Sequence, residues 1–276
     1  MEGLAHEMDK AKREIGLDDE NTIHRRGGYP CVSTGLSLGG GSTVCTLPHV
    51  PQPPNSLPQK PGELRLGNAA TKRAVHALRS HQSLASLFGY VKSESPSPIY
   101  PTFFCRTPLS AAMSLYAKTL VTFCQKALDA VETQNPSLAR PHPGSPFGSL
   151  TFNFGPDVRT FPHKDFKNLS WGWCSVTSLG SYDHTRGGHL VLWDLGIAVE
   201  FPPNATIFIP SAIIEHSNTE IQEGEVRQSI TQYTSAGLFR WCAYGFRLKS
   251  TAVKMGIPPA HWWSNPRHMF PRAPSE

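Results

Sequence analysis

The chain has 276 residues, 39% of them hydrophobic, and a formal net charge of +5. That length supports one large domain or two small ones, and the mild basic excess allows a nucleic-acid partner without requiring one. No block of like charges and no apolar run long enough to span a bilayer is present, so neither a strong electrostatic tail nor a membrane span is expected.

The opening stretch, MEGLAHEMDKAKREIG, is polar and mixed in charge, unlike a secretory leader. Six cysteines are scattered without a C-x-x-C pair, which favours reduced thiols and an intracellular protein of the cytosol or nucleus. Residues 1–62 read as a flexible, proline-rich region. They hold a short helical pattern over 2–15, then LSLGGGSTV, then LPHVPQPPNSLPQKPGE with six prolines, a composition that disfavours helix and interior strand. The folded domain is expected over 63–248, helical over 63–140 and β-rich over 145–248, with residues 249–276 as a tail.

From Asn68 to Gly89 the pattern predicts a helix broken near Ser80, with Asn68 as N-cap and Gly89 as stop. His76 and His81 fall on it as surface histidines. A longer helix is predicted over 107–136, with Thr107 as cap and Pro108 in the first turn. Leu109, Met113, Tyr116, Leu120, Phe123, Ala127 and Val131 form one apolar stripe along it, suited to packing on a sheet.

After Pro146 the texture changes. SLTFNFG, GWCSVTSLG, GGHLVLWDLG, IAVEFP, ATIFIP, IEHSNTEI, VRQSITQYTS and RWCAYGFRL follow one another, each rich in β-branched or aromatic residues and bounded by turn formers. This predicts a mainly β fold, a sandwich or jelly roll, with the preceding helices bracing one sheet.

Within FPHKDFKNLS, His163 and Asp165 are two positions apart, so on extended chain both side chains face one way and can share a cation. His216 lies on the strand-rich stretch that a jelly roll returns to the opposite sheet. Two histidines and one carboxylate form the facial triad of non-haem Fe(II) oxygenases, which leaves three coordination positions open. Arg227 follows eleven residues after His216, with Ser229 two further on and on the same face. A guanidinium there can grip a distal carboxylate by two parallel hydrogen bonds. A ligand with a keto acid for iron and a carboxylate for Arg227 and Ser229 is 2-oxoglutarate. Asn153 and Arg159, on the approach to the H-x-D segment, are candidates for its iron-side carboxylate.

Over about 149–246 the chain resembles the Fe(II)/2-oxoglutarate dioxygenases of the double-stranded β-helix fold, and within them the TET/J-binding-protein hydroxylases of nucleic-acid bases. HKDFKN matches the family's H-x-D-x-x-N, with Asn168 in the last place, and RQSITQY matches its R-x-S strand with Tyr233 four residues after Ser229. The leader and compact size resemble the short TET-like proteins of mushroom-forming fungi. The resemblance implies iron on His163, Asp165 and His216, cosubstrate on Arg227 and Ser229, and O₂ as oxidant. It implies a flipped base hydrogen-bonded by Asn168 and shaped or stacked by Tyr233. The implied substrate is methylated DNA, 5-methylcytosine first and N6-methyladenine second, with RNA as another candidate; a monomer is expected, in the nucleus or cytoplasm with the nucleus preferred. The chain departs in having Ser235 where family members can carry a histidine, and in lacking the cysteine-rich zinc domain.

Competing readings are protein hydroxylation by the same chemistry, an inactive transposon-associated binding module, and a cupin-type metal protein without 2-oxoglutarate. His184 and His189 read as loop and strand histidines, and Asp183 and Asp194 as turn residues. HWWSNPRHMF (261–270) reads as a packing or DNA-contacting tail, and Cys174 as the one cysteine placed to face the pocket.

Overall fold

The computed structural model describes residues 2–17, 23–38, 60–88, 109–256 and 258. In chain order these form helix α1 (Glu2–Ile15), the two-residue strands β1 (Ile23–His24) and β2 (Gly27–Gly28), β3 (Cys31–Ser37) and β4 (Gly62–Glu63). Helices α2 (Ala69–Ser80), α3 (Gln82–Phe88) and α4 (Leu109–Gln134) follow. Then come β5 (Ser149–Asn153), β6 (Cys174–Ser181), β7 (Leu190–Leu192), β8 (Ile197–Val199), β9 (Thr206–Ile209), β10 (His216–Asn218) and β11 (Val226–Tyr233). Helices α5 (Ala236–Ala243) and α6 (Lys249–Lys254) close the described chain.

Beside the small β1–β2 hairpin, two antiparallel sheets form the body of the fold. The larger has the order β4-β3-β5-β11-β6-β9 and the smaller β10-β7-β8. The H-x-D segment adds to the smaller sheet, because His163 pairs with His216 in an antiparallel bridge. From β5 onward the chain therefore passes between large sheet and small, staying on the small one across the β7–β8 pair. The fold is a double-stranded β-helix flanked by helices.

Register decides which side chains meet. On β11, Arg227, Ser229, Thr231 and Tyr233 point inward with Asn153 and Thr151 opposite them on β5, as the pairings Ser229↔Asn153 and Thr231↔Thr151 require. The alternate residues of β5 and β11 face outward. There Leu150, Phe152, Phe154 and Ile230 join Leu4, Met8, Val75 and Leu78 in one buried cluster, so α1 and α2 brace the outer face of the large sheet. The inner face is unusually polar for a core, and that is where a site can be built.

Three expectations are corrected. Residues 1–62 are not all a flexible leader: α1 buries Leu4 and Met8 completely, and β3 sits between β4 and β5 inside the large sheet. Composition hid this because a strand of seven residues is followed at once by the glycines and prolines that dominate the average. The apolar stripe of α4 is interrupted at Ala117 (φ −142°, ψ 46°), so Tyr116 is exposed while Met113, Phe123, Ala127 and Val131 are buried. RWCAYGFRL, read as a strand, instead forms the last turn of α5 and the turn that follows it; Ser235 caps that helix by accepting from the Gly237 N–H. The Asn68 cap is found, with its side chain accepting from Thr71 N at 2.9 Å, and the break falls at His81 between α2 and α3. Gly89, Thr107, Pro108 and the HWWSNPRHMF stretch lie outside the described residues.

Candidate active site

His163 and His216 are cross-strand partners, each donating its N–H to the other's carbonyl at 3.1 and 3.0 Å. The backbone alone thus sets their side chains together, with ring centroids 4.3 Å apart. Asp165, two residues on, is pinned by its own N–H to Ser211 O at 2.8 Å. Its carboxylate lies 3.9 Å from His163 Nε2 and 4.0 Å from His216 Nε2. One ligand atom from each of the three lies within 4.8 Å of the others.

The tautomers suit a metal. His163 Nδ1 is 2.7 Å from Phe161 O, and His216 Nδ1 is 2.9 Å from Ile214 O. A carbonyl can only accept, so both Nδ1 atoms carry the proton and both Nε2 atoms keep a lone pair for a cation. Burial, reinforced by the neighbouring His216 ring, pulls the His163 pKa down to about 4, so the imidazole stays neutral well below pH 7.

His24 and His142 are likewise held near 4, each mainly by burial and secondarily by Arg26 and Arg79 respectively. Their unfolded value is 6.5, so the unfolded chain takes up protons first as pH falls. The stability these rings contribute is complete above about pH 6.5 and is lost towards pH 4. Melting temperatures of the metal-free protein should decline across that window; a flat profile would contradict the assignment.

Arg227 is 1% exposed. One guanidinium nitrogen donates to Val158 O, while Nε and Nη2 are buried without a hydrogen-bond partner among the described residues. Burial lowers its pKa, with the Tyr182 and Tyr29 phenols opposing. Gly188 makes room for it: φ is +70°, and a Cβ there would stand 2.6 Å from the Tyr182 ring and 3.3 Å from Arg227 Cδ. Ser229 shares the inner face and accepts from Asn153 Nδ2 at 3.0 Å, leaving Asn153 Oδ1 buried without a hydrogen-bond partner among the described residues. The unpaired edge of Arg227 fits a distal carboxylate, and the two-histidine, one-carboxylate donor set fits Fe(II).

Asn168 and the end of β11 are stitched together by the Asn168↔Ser235 bridge and the Ala236 N–H to Lys167 O bond of 2.9 Å. The Asn168 amide donates to Ser211 Oγ at 3.3 Å. The Tyr233 hydroxyl is 3.4 Å from Thr151 Oγ1, within a line that continues to Ser33. Ser235 turns away: its hydroxyl donates to Leu38 O at 3.0 Å and caps α5. It does not stand in for a base-reading histidine.

Arg159 is not part of this chamber. It is 37% exposed and pairs with Glu220, with Asp157 at 4.0 Å, in an open surface groove. Proximity in sequence to His163 was misleading, because the chain turns outward at Asp157–Arg159. The residues that sequence reasoning missed come from the supposed leader. Arg26 lies within electrostatic reach of Tyr29, Asp165 and Tyr233, and Tyr29, 2% exposed, lies within reach of Arg26, Arg227 and Asp165. Their only sequence signal was an Arg-Arg pair followed by glycines and a tyrosine, HRRGGY, beside a low-complexity stretch.

No family model and no curated protein matches the chain. Among solved structures it is similar to NgTET1 in complex with 5mC DNA, at 20% identity and a TM-score of 0.36 over 46% of each chain. It is also similar to the viral collagen prolyl hydroxylase vCPH from Paramecium Bursaria Chlorella virus-1, solved as a 2OG complex, at 13% identity and a TM-score of 0.26. That match covers 32% of this chain and 58% of the hydroxylase. The matched region therefore spans less than two thirds of either neighbour, and the functional reading rests on the residues of this chain.

Proposed function

We propose that the protein is an Fe(II)/2-oxoglutarate-dependent dioxygenase that oxidises methyl groups on nucleic-acid bases, with 5-methylcytosine in DNA as the first substrate. The observation that carries the oxygenase part is the pairing, inside one β-helix, of a His163/Asp165/His216 donor set with a buried guanidinium at Arg227, two of whose nitrogens have no hydrogen-bond partner among the described residues. When bound, iron and 2-oxoglutarate supply O₂ activation, with succinate and CO₂ released.

The chain's own residues do the rest. His163 and His216 present Nε2 lone pairs held in place by backbone carbonyls, and Asp165 adds the single negative charge. Arg227 and Ser229 take the distal carboxylate. Asn153, whose amide shares the Ser229 hydroxyl, keeps that hydroxyl in place and is a second polar group for the cosubstrate. Asn168 supports the base reading: it shares a turn with Asp165, its N–H bonding the Asp165 carbonyl at 2.8 Å. An amide there can read a base edge while the methyl group faces the metal. The Tyr233 ring, anchored through its hydroxyl, is available to stack on an extruded base. With Ser235 committed elsewhere, Asn168 is the main polar reader, which leaves cytosine and adenine both acceptable at the exocyclic amine.

Anaerobic Fe(II) titration of wild type and His163→Ala tests the metal set; equal binding would refute it. Succinate release with methylated oligonucleotides against proline- and histidine-containing peptides tests the substrate. Turnover on peptides alone would transfer the protein to the hydroxylases of proteins.

A further inference from the structure

The turn that joins Asp165 to Asn168 holds a large aromatic ring out in solvent. Phe166 is 66% exposed, although the residues on its N-terminal side enter the metal set. One face of the ring carries Arg25, whose guanidinium carbon stands 5.2 Å from the centroid. Arg25 is fixed there from β1–β2: Nη1 donates to Lys164 O at 3.2 Å and Nη2 lies 3.7 Å from Asp165 Oδ1. The hairpin itself is tied down by Phe161 N–H to Arg26 O at 2.7 Å and by the Gly27↔Thr160 bridge. The Phe166–Arg25 pair is therefore a held, planar surface and not a loose side chain.

Most of the charge around it is paired, with one cation left over. Lys164 is paired with Asp194 at 3.0 Å, Asp165 belongs to the metal set, and Lys167 is exposed with no ion pair among the described residues. Lys167 thus adds an uncommitted positive charge beside the apolar ring, while Arg25, held against Asp165, still presents a half-exposed guanidinium next to a site read as taking one base. A polyanion with flat apolar faces fits that combination, and a nucleic-acid strand has both.

We infer that Phe166 and Arg25 form a stacking platform for the nucleotide next to the target base, with Lys167 on its phosphate. This rests on the nucleic-acid reading of the site. Stacking on a protein ring requires the neighbouring base to leave its own stack, so the platform selects single-stranded or locally opened substrate.

The test uses full-length protein with Fe(II) and 2-oxoglutarate under anaerobic conditions, so that binding is read without turnover. The probe is a single-stranded oligonucleotide with one 5-methylcytosine flanked by 2-aminopurine. Wild type should bind and change the 2-aminopurine fluorescence. Phe166→Ala should weaken binding about ten-fold and abolish the change, while Phe166→Trp restores both. Because Phe166 is exposed, its melting temperature should not move. Equal binding and an unchanged signal in Phe166→Ala would overturn the platform and leave the base reading standing. Failure of wild type to bind any methylated oligonucleotide would overturn the base reading itself.

Discussion

Arg227→Met is expected to separate stability from function. In the free protein the guanidinium is buried with two nitrogens unpaired among the described residues, which costs on the order of 1–3 kcal/mol for the unmet donors. Replacing it with an apolar chain of similar length removes that cost, so the melting temperature of the ligand-free variant should rise. Cosubstrate binding should fail in the same variant. In wild type, Mn²⁺ and 2-oxoglutarate together should raise the melting temperature by mass action; in Arg227→Met the part due to 2-oxoglutarate should vanish while the part due to Mn²⁺ remains. Arg227→Lys keeps the charge but loses the two-pronged geometry, and an affinity loss of roughly ten- to a hundred-fold is expected, about 1.4–2.8 kcal/mol. A full 2-oxoglutarate shift in Arg227→Met would remove Arg227 from the cosubstrate site.

Deleting residues 1–38 is expected to yield insoluble protein. The deletion takes away β3 and exposes the edge of β5 to pairing with other chains. It also strips Leu4, Met8, Val32, Leu36 and Leu38 from the core, all of them 6% exposed or less. Truncating a single buried leucine to alanine already costs about 2–5 kcal/mol, against a total stability of roughly 5–15 kcal/mol. A gentler version is Val32→Asp, which places a carboxylate in the outer-face cluster with Phe152 and Leu150; chemical denaturation should show a loss of several kcal/mol. Soluble, cooperatively unfolding protein from the truncated chain would mean that the β-helix core is self-sufficient.

The contrast between these two regions shows what was legible in the sequence. Arg227 and Ser229, like His163 and Asp165, are two residues apart on extended chain, so their shared face follows from backbone geometry alone. His216 was legible through order and strand texture. The chamber wall supplied by Arg26 and Tyr29 was not, because it depends on β3 pairing with β5 across more than a hundred residues, Cys31 opposite Asn153. No local pattern reports that pairing. Arg159 failed for the opposite reason: it is close to His163 along the chain, but Glu220 and Asp157 hold it at the surface. Ser235 was read as an absence of histidine, and only the cap on α5 shows what it does instead.

The two candidate metal-binding histidines are neighbours through the peptide backbone, by the reciprocal bonds between residues 163 and 216. The spacing of these two imidazoles is therefore a property of strand registration and is insulated from the length of chain that joins them. Lengthening a loop costs little, about 0.6 kcal/mol for each doubling, and the turn at Asp183–Arg186, between β6 and β7, is mostly exposed. That turn is a place where a tag, a fluorophore-bearing peptide or a second binding module can be grafted without retuning the candidate site.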